Sequence, residues 1–106
     1  MRVTVSHNQS KQEMMKAVDK AVGDLFKGIP MGPVQISDPQ KSWQGSTLTF
    51  TMTAKMGILK NPIRGTIEVT DKDLTIDADL GILNSFLPES KVKAAVETQV
   101  QKLLKA

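Results

Sequence analysis

Apolar and polar residues alternate along three successive stretches in the middle of the chain. The stretches cover residues 47–56, 63–70 and 74–80. A period of two places the apolar side chains on one face of a strand and the polar ones on the other. The pattern therefore predicts an antiparallel sheet with one covered face and one solvated face.

Two further strands are predicted from weaker signals. Residues 2–7 alternate around Val3 and Val5, which is typical of a half-buried strand. Another strand begins near Val34 and continues irregularly to Trp43. We expect a bulge or bend near Asp38-Pro39, because proline cannot donate a backbone hydrogen bond to a neighbouring strand.

Two amphipathic helices complete the pattern. Residues 10–13 read as a capping box that opens a helix running to about Lys27, and the glycines and prolines of 28–33 end it. The second helix runs from Pro88 or Glu89 to Lys105. The two apolar stripes are Met14, Val18, Ala21, Val22, Leu25 and Phe26, and then Val92, Ala95, Val96, Val100, Leu103 and Leu104.

The predicted order is β-α-β-β-β-β-α, an α+β fold with a single antiparallel sheet of about five strands. Because the sheet offers one apolar face, both helices should pack on that face. The 106 residues are enough for one domain and too few for two, so residues 1–106 are expected to form a single domain.

The two ends of the predicted sheet differ in chemistry. Loops 7–10, 43–46 and 70–73 share one end and are largely polar apart from Trp43, whereas loops 28–33, 57–62 and 81–87 share the other end. Loops normally favour small and polar residues. The second group is instead apolar, and its candidate contact residues are Ile29, Met31, Ile58, Leu59, Ile82, Leu83, Phe86 and Leu87. They either fold inward to plug the core or present an apolar rim to a partner.

Methionines and a valine lie on or beside the predicted core side of the helix and the sheet. Methionine fills irregular gaps in cores and also lines adaptable apolar surfaces. A plain core and a small ligand cavity between sheet and helices both fit this pattern. The residues that would line the cavity are Met14, Val18, Met52 and Met56.

Catalytic chemistry has no clear carrier in the sequence. There is no cysteine, and His7 is the one histidine, which we expect to be a surface or capping residue. Asp77 and Asp79 share the solvated face of a strand, where burial does not raise a carboxylate pKa. We therefore expect no enzyme activity, no metal site and no cofactor.

Charge and hydropathy restrict the classes of partner and the cellular location that we expect. The net charge is +3, and basic and acidic residues interleave along most of the chain, unlike the clustered cations of nucleic-acid binders. The open sheet face is rich in threonine and lacks the stacking aromatics of RNA-recognition modules. No run has the length of a membrane span, and the first residues lack a signal peptide's apolar segment. A cytoplasmic protein that binds no nucleic acid is expected.

Several segments resemble a known family. They are Arg2-Val3-Thr4-Val5, Trp43-Gln44-Gly45, the alternating run through Phe50, and the stretches 63–69 and 74–80. Together they resemble the small bacterial polyhydroxyalkanoic acid system proteins, which are found in genomic regions for polyester granules. The predicted layout is also similar to a trimmed helix-grip domain.

The resemblance implies a non-enzymatic accessory protein associated with polyester granules or their metabolism, and it transfers no catalytic residue. Contact with an apolar granule surface through loops 28–33, 57–62 and 81–87 is one mechanism. A carrier of a small apolar ligand between sheet and helices is a second. Self-association into a homodimer through these loops or through the edge strands is a third.

Overall fold

The protein is described by a computed structural model over residues 1–22, 35–79, 81 and 89–105. Its element order is β-α-β-β-β-β-α, as predicted. The elements are β1 (Arg2–Ser6), α1 (Lys11–Ala21), β2 (Gln35–Gln44), β3 (Thr47–Met56), β4 (Leu59–Val69), β5 (Asp73–Asp79) and α2 (Glu89–Lys105).

All five strands form one antiparallel sheet in the order β1-β5-β4-β3-β2. Strands β2 to β5 form a meander, and β1 pairs with β5, so β1 and β2 are the two edges. Side-chain hydrogen bonds mark the start of α1 and connect the residue before it to the end of α2. The Ser10 hydroxyl accepts a hydrogen bond from the Glu13 N–H as an N-cap, and Gln9 Nε2 donates to the Leu104 carbonyl.

The bulge expected near Asp38-Pro39 is present in β2. Ser37 pairs with Thr53 but Gln40 pairs with Thr51, so β2 carries one extra residue. Asp38 has a φ of 53°, in the left-handed region that aspartate enters more readily than most residues. The extra residue reverses the alternation, so Lys41 and Trp43 lie on the same face of the sheet as Ile36.

The apolar face of the sheet is covered by both helices, which confirms the predicted arrangement. Each helix contributes to the same buried cluster as the strands. The cluster consists of Val3, Val5, Met14, Val18, Val22, Leu48, Phe50, Met52, Ala54, Ile63, Ile67, Val69, Leu74, Ile76, Ala78, Val92, Val96 and Val100.

Gly65 of β4 packs directly against the ring of Phe50 on the neighbouring strand β3. It pairs with Phe50, and a Cβ on Gly65 would lie 2.5 Å from the tip of that ring and 2.6 Å from the Asp77 carbonyl oxygen. A glycine is required here because the ring occupies the space of a side chain.

The predicted loop 57–62 is shorter than expected. Only Gly57 and Ile58 form the turn, and β4 already begins at Leu59. Pro62 is tolerated within β4. It pairs with Thr53 of β3, and on its other side the described pairing of β4 with β5 begins only at Arg64, so no described β5 residue is paired with the proline. The other two apolar loops, 28–33 and 81–87, lie outside the described residues except for Gly81.

Candidate apolar contact site

The turn between β3 and β4 is a tight hairpin that places an isoleucine at its tip. Met56 pairs with Leu59 across the two-residue loop, and Gly57 has a φ of 61°. A two-residue loop with positive φ at its first position alone is a type II′ turn, which suits the twist of antiparallel strands. Glycine at this position leaves Ile58 at the outermost point of the hairpin.

The tip exposes large apolar side chains to solvent. Ile58 is 98% exposed and Leu59 is 50% exposed, while Met56 is half-buried beside them. Ile58 gains almost nothing from the fold of its own domain, and Leu59 gains only part of what full burial provides. Burying Ile58 against another apolar surface would contribute about 1.5–3 kcal/mol, and completing the burial of Leu59 would contribute less.

The charged side chains on the arms of this hairpin are all positive as far as residue 67. Lys55 and Lys60 stand directly opposite each other, and Arg64 follows on β4. No aspartate or glutamate occurs between residues 47 and 67. Like charges directly across a strand pair are unfavourable in a folded sheet. Their presence beside an exposed apolar tip indicates a surface whose composition is not set by stability alone.

Two other chain segments leave the sheet at the same end as the tip. β2 begins at Gln35, which pairs with Lys55 one residue from Met56. Gly81, which follows β5, has a φ of 59°, and a Cβ there would lie 2.5 Å from the side-chain oxygen of Asn61. The candidate contact residues beyond these anchors, Ile29, Met31, Ile82, Leu83, Phe86 and Leu87, lie outside the described residues and stay predictions.

The opposite end of the sheet is closed by polar contacts. His7 Nε2 lies 2.8 Å from the Thr70 carbonyl oxygen, and its Nδ1 accepts from the Gln9 N–H at 3.2 Å. These partners fit the tautomer with its proton on Nε2. His7 is therefore buried, at 7% exposed, rather than a surface residue, and both ring nitrogens are engaged by the backbone.

Thr70 organises the neighbouring turn at this polar end. Its hydroxyl oxygen accepts hydrogen bonds from the N–H groups of Lys72 and Asp73 and donates to the Asp73 carboxylate. A threonine hydroxyl that bonds to the backbone in this way stabilises the turn through hydrogen bonds instead of apolar contacts. Within the described residues, this polar end contrasts with the exposed Ile58-Leu59 tip at the other end. The part of the predicted contrast that depends on loops 28–33 and 81–87 stays a prediction.

The four residues predicted to line a cavity are divided between core and periphery. Met14, Val18 and Met52 are buried in the packed core, and Met56 is half-buried near the hairpin tip. Met52 also borders a groove of about 200 Å³ between α1 and β2. The other lining residues of this groove are Asp19, Lys20, Val22, Pro39, Gln40 and Lys41.

A polar junction that the sequence analysis missed joins α1 to β2. The indole N–H of Trp43 donates to Asp19 Oδ1 at 2.9 Å, and Lys41 Nζ lies 3.0 Å from the same oxygen. Lys41 also donates to the Asp19 backbone carbonyl at 2.7 Å. These contacts, the Trp43 hydrogen bond foremost, hold the pKa of the Asp19 carboxyl below its ordinary value.

Neither a metal-ligand cluster nor a membrane-spanning helix occurs in the described part of the chain. Residues 1–22, 35–79, 81 and 89–105 contain no group of three or more histidine, aspartate or glutamate residues placed to hold a metal ion. Within the same residues, neither helix has the length and apolar character needed to cross a membrane.

The fold and the site define a two-layer α+β protein with a cationic hairpin that ends in an apolar tip. Residues 1–104 match the sequence model of a family described as "putative polyhydroxyalkanoic acid system protein". The chain belongs to this family, which confirms the resemblance seen in the sequence. No curated protein and no solved structure matches the chain.

Proposed function

We propose that this protein is a non-enzymatic accessory protein of the polyhydroxyalkanoate system that contacts the apolar polyester surface of granules in the cytoplasm. The observation that carries the proposal is the exposed Ile58-Leu59 tip in a member of a polyhydroxyalkanoic acid system family. An aliphatic polyester offers a surface of the apolar character that such a tip would bury.

The charges around the tip suit a protein that docks on such a surface without entering it. The side chains of Lys55 and Lys60 can lay their apolar stems along the surface and keep their ammonium groups in water. The described chain resumes at Gln35 after loop 28–33 and reaches Gly81 at the start of loop 81–87, and both residues lie at the same end of the sheet as the tip. The proposed contact face therefore includes all three predicted loops, with Ile58 and Leu59 as its described part.

Binding of the purified protein to amorphous polyester particles tests this proposal. The double variant Ile58→Ser/Leu59→Ser should weaken binding at least about tenfold, because burial of Ile58 alone contributes more than the 1.4 kcal/mol that a factor of ten requires. Both residues are exposed, so circular dichroism and thermal unfolding should match those of the unmodified protein.

A matched control comes from the other tight hairpin of the chain. The turn between β2 and β3 has the same form. Gly45 has a φ of 62°, and Ser46 occupies the position that Ile58 has in the β3–β4 turn. The swap variant Ile58→Ser/Ser46→Ile keeps the composition and charge of the protein. Unimpaired binding of the swap variant or of the double variant to polyester would contradict a contact at the β3–β4 tip.

A carrier of a small apolar ligand is the second candidate, favoured by the groove that Met52 borders. Its volume of about 200 Å³ is below the range of about 300–1,000 Å³ typical of ligand sites. A fluorescent fatty-acid probe and plain apolar beads should be assayed in parallel with the particles. Stoichiometric uptake of the probe without particle binding would favour the carrier over the granule contact.

A further inference from the structure

The outer edge of β1 has no partner strand among the residues that the structure describes. Strand β1 has five residues, no proline and no break in its pairing with β5. The other edge, β2, is interrupted by the bulge at Asp38 and by Pro39. Bulges and prolines are the usual devices that stop an edge from pairing with another chain. The described part of β1 carries neither.

The hydrogen bonds of β1 show which backbone groups face outward. The Ala78 N–H donates to the Met1 carbonyl, and the His7 N–H donates to the Lys72 carbonyl. In an antiparallel ladder such bonded positions alternate with positions whose N–H and C=O groups point the other way. The residues between them that turn both groups away from β5 are therefore Arg2, Thr4 and Ser6.

A groove of about 590 Å³ runs beside this edge, between β1 and α2. Thr4, Val5 and Ser6 line one side. On the helix side the lining residues are Ala94, Glu97, Thr98 and Gln101. The edge of β1 and one face of α2 thus border the same open space.

We propose that a second copy of this chain occupies the edge, pairing β1 with β1 of its partner in an antiparallel dimer centred on Thr4. The outward groups of Arg2, Thr4 and Ser6 are symmetric about Thr4. A two-fold axis there pairs Thr4 with Thr4 and Arg2 with Ser6, and all six outward N–H groups of the two copies find carbonyl partners.

Side-chain chemistry selects the same register. On the solvated face, Thr4 would lie opposite Thr4, and the neutral Ser6 opposite Arg2, so no two arginines face each other. On the covered face, Val3 would lie opposite Val5, which extends the apolar layer across the interface. Because strand β1 is its own complement, no other chain is needed to satisfy the edge.

The dimer forms one ten-stranded sheet with defined distances between equivalent residues. Thr4, Thr75, Glu68 and Thr47 lie in one row across neighbouring strands. With strands about 4.8 Å apart, the two copies of Glu68 are five spacings apart, about 24 Å, and the two copies of Thr47 are seven, about 34 Å. The inference is independent of any polyester contact, since it involves neither hairpin tip.

Spin labels measure these distances directly. The chain has no cysteine, so Glu68→Cys and Thr47→Cys each give a single labelling site on the solvated face. Pulsed electron paramagnetic resonance should give separations near 24 and 34 Å, respectively. The proposal would be overturned if neither site showed dipolar coupling, or if the labels at Glu68 were farther apart than those at Thr47.

Two substitutions at Thr4 separate backbone pairing from other contacts. Thr4→Pro removes an outward N–H that the monomer's own sheet does not use, and should raise the dimer dissociation constant at least about tenfold through the loss of two hydrogen bonds. Thr4→Val keeps the backbone groups and should leave the dimer intact. Analytical ultracentrifugation that finds only monomer at about 1 mM, where binding is worth only about 4 kcal/mol, would refute the dimer.

Discussion

The two edges of the sheet are built by different means, although each lies beside a helix. At the β2 edge, α1 is attached through the core and also through the polar junction of Asp19, Lys41 and Trp43, and the strand itself is bulged. At the β1 edge, α2 is buried through valines, and the strand is regular. The bulge turns Lys41 and Trp43 toward α1, so the irregularity that blocks one edge also creates its junction.

The largest expected effect tests whether the two helices depend equally on the core. Val18 of α1 and Val96 of α2 are both almost fully buried. Val18→Ala and Val96→Ala should each lower the free energy of unfolding by about 2 kcal/mol, from lost apolar burial and the cavity left behind. Urea unfolding measures both. A much smaller loss at Val18 would mean that the polar junction, not the core, holds α1.

A smaller effect is expected from Asp19→Asn, which leaves the core intact and removes the charge at the junction. Because the folded state lowers the Asp19 pKa, the carboxylate stabilises the protein above the ordinary aspartate value of about 3.9. That contribution is lost as the pH falls through the lower, folded-state pKa. The variant should unfold at a lower temperature at pH 7 and converge with the unmodified protein at strongly acidic pH.

The exposed Asp71→Asn serves as the control for this substitution, because it also removes one carboxylate but lies outside the junction. Thermal unfolding followed between pH 7 and strongly acidic conditions compares the two variants. A destabilisation at Asp19 that stays constant over this range, or one matched by Asp71→Asn, would disprove the role of the charge.

The smallest effect is expected at the bulge itself. Asp38 occupies a left-handed backbone conformation that costs a non-glycine residue about 1 kcal/mol, so Asp38→Gly should be neutral or slightly stabilising. Gln40→Gly in the same strand, at a residue without positive φ, should instead destabilise by about 0.5–1 kcal/mol. Chemical denaturation that shows the reverse order would indicate that the Asp38 side chain is needed for the bulge.

Local sequence patterns predicted most of the fold. The alternation of β3, β4 and β5 and the stripe of α2 depend on burial alone, so their faces could be assigned without a structure. Asp38-Pro39 predicted the bulge because proline cannot donate a hydrogen bond to a neighbouring strand. The face of Trp43 could not be predicted, because it depends on how many residues the bulge inserts.

The candidate site was predicted only where its chemistry is local. Ile58 and Leu59 are conspicuous in a loop, and the structure exposes both. Lys55 and Lys60 face each other because of the turn length and the strand register. The sequence analysis predicted a longer loop, 57–62, and therefore could not place the two lysines opposite each other. The open edge of β1 depends on strand order, which no short segment encodes. The groove beside α2 had one weak signal, Ala94 within an otherwise polar helix face.

The Trp43 junction gives the protein a built-in spectroscopic reporter. The chain has one tryptophan and no tyrosine, so fluorescence excited near 280 nm comes almost entirely from a single indole ring. That ring is hydrogen-bonded to Asp19 and half-buried between α1 and the sheet. Its emission therefore follows the separation of α1 from β2, whereas circular dichroism follows the whole chain. A difference between the two melting curves would reveal α1 detaching before the sheet unfolds.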